Sequence, residues 1–120
     1  MYEVTVQERR RAPRASYDER IMVRSHRGVI PAMGGNLSEC GMLLHTHHGD
    51  EDVDHRLWLS FTLPRVPHVL QLEAEVVREN REGEQLSLGV RFMEMPPIVR
   101  RMLRTYVFTG RGQVKDYMPA

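Results

Sequence analysis

The feature that most narrows the fold is a two-residue alternation that returns along the second half of the chain. In 56–63 (RLWLSFTL) it places Leu57, Leu59, Phe61 and Leu63 on one face. In 68–80 (HVLQLEAEVVREN) it collects Leu70, Leu72, Ala74 and Val76, and in 85–93 (QLSLGVRFM) Leu86, Leu88, Val90 and Phe92. Successive side chains of a strand point to opposite faces, so each segment is a half-buried β-strand. NREGE at 80–84 is a hairpin turn between the last two. Earlier segments carry the same signal more weakly. RIMVR (20–24) offers Ile21 and Val23, and GMLLHTH (41–47) is a further strand. GVIPAMGGN (28–36) is interrupted by Pro31 and Gly34-Gly35, which point to an edge or a bulge.

After Pro96 and Pro97 the period changes. Proline suits the first turn of a helix. Ile98, Met102, Leu103, Tyr106 and Val107 recur at spacings of about four, so an amphipathic helix is expected over 97–108. Gly110 and Gly112 are expected to end it, leaving 110–120 as a mobile tail. Six short strands and one closing helix make an all-β domain, either a small antiparallel barrel or a sandwich. With 120 residues, one domain is expected, over 7–109 with a short lead at 1–6.

Several function classes are disfavoured. No apolar run reaches the roughly 18–20 residues that spanning a bilayer requires, so no membrane insertion is expected. MYEVTVQERRR lacks the apolar centre of a signal peptide, which makes a cytoplasmic protein the default. A single cysteine, Cys40, excludes an internal disulfide. A net charge of +1 argues against a broad nucleic-acid-binding face.

That near-neutrality makes ERRRAPR (8–14) conspicuous, because Arg9, Arg10, Arg11 and Arg14 crowd one short stretch. Pro13 disfavours helical geometry at Ala12. In an extended loop Arg10 and Arg14 can therefore straddle roughly 13 Å. A guanidinium binds phosphate bidentately, stacks on aromatic rings and pairs with the O6 and N7 edge of guanine. A purine nucleotide presents all three targets. A second motif is NLSECG (36–41). If the chain is extended there, Asn36 and Ser38 share a face, and Gly41 can take positive φ or admit a ligand closely. The same residues also make an ordinary polar turn.

Together, in this order with a strand between, the two motifs resemble those of the PilZ domain family, which carries RxxxR in an N-terminal loop and D/NxSxxG after the second strand. Here they are Arg10 to Arg14 and Asn36 to Gly41, and LGVRF at 88–92 is similar to the family's last barrel strand. The resemblance implies a six-stranded antiparallel β-barrel with a C-terminal helix that binds the second messenger cyclic di-GMP. It implies ligand contacts from Arg10, Arg14, Asn36, Ser38 and Gly41. Asn36 stands where aspartate is commoner, and an amide offers guanine one acceptor group where a carboxylate offers two. An arginine at Arg9 implies a stacked, intercalated ligand dimer, and Arg11 is expected to be solvated. No cofactor is implied. The expected protein converts ligand level into altered contacts with an unidentified protein effector by ordering its arginine loop. The alternative is a PilZ-like adaptor that has lost its ligand and only binds protein.

Other residues carry weaker signals. His45, His47 and His48 invite a metal reading, but no cysteine pair or fixed carboxylate spacing accompanies them. Asp50, Glu51, Asp52 and Asp54 lack EF-hand spacing and read as a solvated turn. Trp58 falls on the outer face of its strand, and Arg91 points outward from its own. No nucleophile–base or acid–base constellation appears, so an enzyme is not expected and no catalytic residue is assigned. Sparse aromatics, 7% of the chain, weigh against a barrel that stacks single-stranded bases.

Overall fold

The computed structural model describes residues 13–47 and 54–117, from residue 110 onward by backbone course alone. Its strands are β1 (Ala15–Ser16), β2 (Arg20–Ser25), β3 (Gly28–Leu37), β4 (Gly41–His47), β5 (Arg56–Thr62), β6 (Val69–Glu82) and β7 (Gln85–Phe92), followed by helix α1 (Pro97–Tyr117). Six of the strands run in the order β3-β2-β5-β6-β7-β4, and β4 pairs again with β3. Every pairing is antiparallel. The result is a closed six-stranded antiparallel barrel with one C-terminal helix, the barrel rather than the sandwich that the alternation left open, and as the motif resemblance implies. β1 adds a short extra pairing to the far end of β3, Ala15 opposite Leu37 and Ser16 opposite Asn36.

The alternating apolar residues fill the barrel. Ile21, Val23, Leu57, Leu59, Phe61, Leu63, Leu70, Leu72, Ala74, Leu86, Leu88, Val90 and Phe92 are all buried, and Val76 packs partly against them. At roughly 1.5–3 kcal/mol per large apolar side chain removed from water, this inner face is the main stabilising contribution. Tyr17, 1% exposed, adds an aromatic plug the periodicity does not announce. Its hydroxyl donates to the Thr62 carbonyl at 2.6 Å, and its ring meets Phe61 and Tyr106 edge-on at 5.6 and 6.1 Å. Burial pushes its pKa up to about 12, with Glu19 adding to the shift.

Of the two irregularities expected in β3, Pro31 sits in regular register opposite Met22, and the glycine pair has a structural cause. A Cβ at Gly34 would lie 2.6 Å from the Tyr17 ring, so glycine there makes room for the plug. The β3–β4 register shifts between Gly34 and Leu37, which is the expected bulge. β3 is not an edge, because β2 and β4 flank it.

Helix α1 closes the barrel with Leu103 and Val107 buried and Val99, Met102 and Tyr106 packed partly against the core. The apolar stripe thus starts at Val99. Ile98, placed on it by the sequence reading, is 56% exposed. The helix also continues to Tyr117, beyond the expected end at 108 and into the stretch 110–120 assigned to a mobile tail. A helical glycine costs about 1 kcal/mol relative to alanine, which weakens a helix without stopping it. No helix of the described residues is long and apolar enough to cross a membrane.

Candidate functional site

A cleft of about 470 Å³ opens on the outer wall of the barrel where β3, β4, β6 and β7 meet. Arg14, Asn36, Ser38 and Gly41 all line it, so residues from both sequence motifs converge on one place. β1 makes this possible. By pairing Ser16 with Asn36 it lays the lead carrying Arg14 along the strand end that carries the second motif. Arg9, Arg10 and Arg11 lie outside the described residues.

Inside NLSECG the chain makes a tight turn between β3 and β4. The Ser38 amide donates to the Gly41 carbonyl at 2.9 Å. The Ser38 hydroxyl oxygen accepts from the amides of Cys40 and Gly41 at 3.1 and 3.2 Å. It also lies 3.3 Å from the Gly41 carbonyl, to which it donates. Ser38 is nearly buried and its hydrogen bonding is largely taken up by the turn. Gly41 has a structural reason as well. Its φ is not positive, and a Cβ there would collide with the Val90 carbonyl of β7. The close approach that demands glycine is therefore made by the barrel's own backbone. Asn36 is exposed and faces the cleft.

Glu39 of the same turn reaches the closing helix. It accepts from Arg104 Nε at 2.7 Å and lies 3.8 Å from Arg100. The Arg104 hydrogen bond holds the Glu39 carboxyl below its ordinary range. The helix touches the other motif's side too, because the Tyr106 hydroxyl donates to the Ser16 carbonyl at 2.6 Å. One helix thus braces both edges of the cleft.

Of the far wall and floor, the sequence reading noted only Arg91, as an outward residue not assigned to the site. Leu43, Val77 and Gly89 supply an apolar floor, while Arg78 and Arg91 supply cations. Gly89 sits directly opposite Leu43, and its missing side chain leaves the depth. Val77 and Arg78, neighbours in sequence, both face the cleft. Regular alternation would forbid this, but β6 carries a register shift between Val76 and Arg78 that re-aims them. Arg91 is bonded to Glu75 on β6. An interior strand glycine in LGVRF and an outward Leu43 were the available signals. Their meaning depends on which strands pair, and that the alternation does not reveal.

Of the histidines, His45 is hydrogen-bonded through Nδ1 to Ser87 at 3.0 Å, and His48 lies outside the described residues. Among the described residues no three metal-ligating side chains converge. Cys40 is an exposed free thiol at the cleft rim.

The PilZ domain family matches residues 8–109. No curated protein matches the sequence. Among solved structures, the inhibitor of motility MotI/DgrA of Bacillus subtilis superposes with a TM-score of 0.71 at 20% identity, over 88% of this chain and 51% of that one. The PilZ domain of YcgR from Escherichia coli, solved with c-di-GMP, gives 0.70 at 17% identity, over 91% of this chain and 96% of that domain. PlzA of Borreliella burgdorferi, solved in complex with c-di-GMP, gives 0.61 at 13% identity, over 88% of this chain and 44% of that one. The chain therefore spans about half the length of MotI/DgrA and nearly all of the isolated YcgR domain.

Proposed function

Because the chain belongs to the PilZ domain family, we propose that it is a receptor for cyclic di-GMP that works by binding alone and passes the signal to a protein effector. The observation that carries this reading is the convergence of Arg14, Asn36, Ser38 and Gly41 on one cleft whose far side adds Arg78 and Arg91. The ligand has two phosphates and two guanines. Guanidinium forks suit the phosphates and the O6/N7 edges. The Leu43–Val77–Gly89 floor suits the flat face of a base. Asn36, exposed at the rim, reads the guanine edge as one acceptor and one donor. Ser38 and Gly41 act by fixing the turn that presents Asn36.

Arg9 and Arg10 complete the site from the N-terminal lead, which folds over the ligand as it binds. Two stacked ligand molecules bring four phosphates together, and Arg9 is the added cation that compensates them. Titration calorimetry with cyclic di-GMP tests the reading. The expected result is saturable binding at about two ligands per chain, moving toward one in Arg9→Leu. Arg14→Ala should weaken it about tenfold or more, since a charge-assisted hydrogen bond contributes roughly 1.5–3 kcal/mol. A folded protein that takes up no cyclic di-GMP would leave the ligand-free adaptor reading instead.

A further inference from the structure

The barrel carries a second surface feature, centred on two strands, β2 and β5, that do not line the cleft, and on the Val29–Met33 half of β3. In the closed order, β2 lies three strands from β7, and β5 lies three strands from β4. On the outer wall of β3, β2 and β5, Met22, Met33 and Trp58 keep 42%, 43% and 43% of their surface in water and Val29 keeps 55%. They are contiguous. Met22 sits opposite Pro31, Arg24 opposite both Val29 and Trp58, and Arg20 opposite Met33. Scattered exposed apolar residues need no explanation, but a cluster rimmed by charge marks an interaction site.

The charge on this wall has one sign. The Arg24 guanidinium lies 5.9 Å above the Trp58 ring, held there by cation–π attraction. Neither Arg20 nor Arg24 has a carboxylate within ion-pair distance among the described residues. Two acidic groups bordering the patch are already engaged. Glu73, the cross-strand neighbour of Trp58, pairs with Arg56 at 3.2 Å, and Asp54 holds His26 at 2.7 Å.

We propose that this wall docks a protein segment that carries apolar side chains between carboxylates, and that Met22, Trp58, Arg20 and Arg24 are its anchors. Three kinds of occupant fit this surface unequally. A second copy would set Arg20 and Arg24 against their own kind across a two-fold axis, a like-charge arrangement. An anionic bilayer gains little from a chain of net charge +1, and the apolar groups lie on a strand face, level with the arginines, where they cannot insert. An acidic amphipathic segment meets both halves of the surface. Flexible methionines adapt to its side chains, and Trp58 and Arg24 are of the residue types that dominate interface energetics.

The test is a random-peptide display library panned against the full chain, then against Met22→Asp and Arg24→Glu. Peptides enriched by the unmodified chain should combine Asp or Glu with Leu, Phe or Trp. They should bind at least about tenfold more weakly to each variant, weaken with salt, and shift the emission of Trp58, the sole tryptophan. Both variants should melt as the parent does and give the same cyclic di-GMP isotherm, because neither Met22 nor Arg24 lines the cleft. Enriched peptides that are neutral or basic, or that ignore both substitutions, would overturn the proposal. Concentration-dependent dimerisation abolished by Arg24→Glu, or a Trp58 shift with phosphatidylserine vesicles, would also overturn it by naming a different occupant. Loss of cyclic di-GMP binding in the parent leaves this result unaffected, so the two readings fail separately.

Discussion

On the proposed reading, Ser38 serves the site through the turn it holds, its hydroxyl being taken up by that turn. Its hydroxyl accepts two amides of the turn, and alanine would leave them in a nearly buried place without a partner. Such a loss costs about 1–3 kcal/mol. Ser38→Ala should therefore lower stability by about 1–2 kcal/mol in a urea titration, and weaken cyclic di-GMP by loosening Asn36. A variant of full stability and reduced affinity would instead put the hydroxyl on the ligand. Gly41 makes the sharper case. Gly41→Ala drives a Cβ into the Val90 carbonyl, so strand and ligand site should suffer together, by about 3 kcal/mol or by failure to fold. The motifs were legible in the sequence, but their division of labour was not. NLSECG reads equally as ligand contacts or as a turn until the backbone of β7 is known to pass beneath Gly41. Leu43 and Gly89 were likewise invisible as one floor, because strand register follows from closure of the whole barrel.

At the scale of elements, α1 is more than a lid. It grips the second motif through Glu39–Arg104 and the short strand just after the first through Tyr106–Ser16. Glu39→Gln keeps the shape but loses the charge, and a solvent-exposed pair of this kind contributes only a small, salt-sensitive stabilisation. Arg104 depresses the Glu39 pKa, so this stabilisation exists above the ordinary carboxylate range and disappears as pH falls through the lower folded value. Denaturant midpoints of parent and Glu39→Gln should differ at neutral pH and converge in acid; a constant gap would mean the carboxylate charge is not responsible. The helix's length escaped the sequence reading because glycine lowers helix propensity without setting a boundary. Only the start of its stripe was displaced by one residue, from Ile98 to Val99, a shift that hydrophobicity alone cannot resolve, while Met102, Leu103, Tyr106 and Val107 face the core as expected.

For the whole molecule, the aromatic plug sets an alkaline limit. Tyr17 has its pKa raised from 10.0 to about 12 by burial. A raised folded pKa means the neutral phenol is favoured in the fold, so its stabilisation is complete below about pH 10 and lost as pH rises through about 12. Melting temperature should fall across that window, and less steeply in Tyr17→Phe, which cannot ionise. Closure of the barrel has a different, mechanical consequence. A ring of paired strands has no edge from which to unzip, and load applied at the two ends of the described fold meets β1 and α1 before it meets the ring. β1 pairs with β3 through Ala15 and Ser16 only, with one further bond from the Tyr17 amide to the Gly35 carbonyl, and reaches the helix through the Tyr106 hydroxyl and the Tyr17–Tyr106 ring contact. Stretched in an optical trap, the molecule should yield first in a small, low-force, reversible step as these parts peel away, and only later in one large rupture of the barrel. The part that yields first carries Arg14, so tension on the chain and occupancy of the cleft oppose each other: ligand should raise the force of the first step and leave the second unchanged.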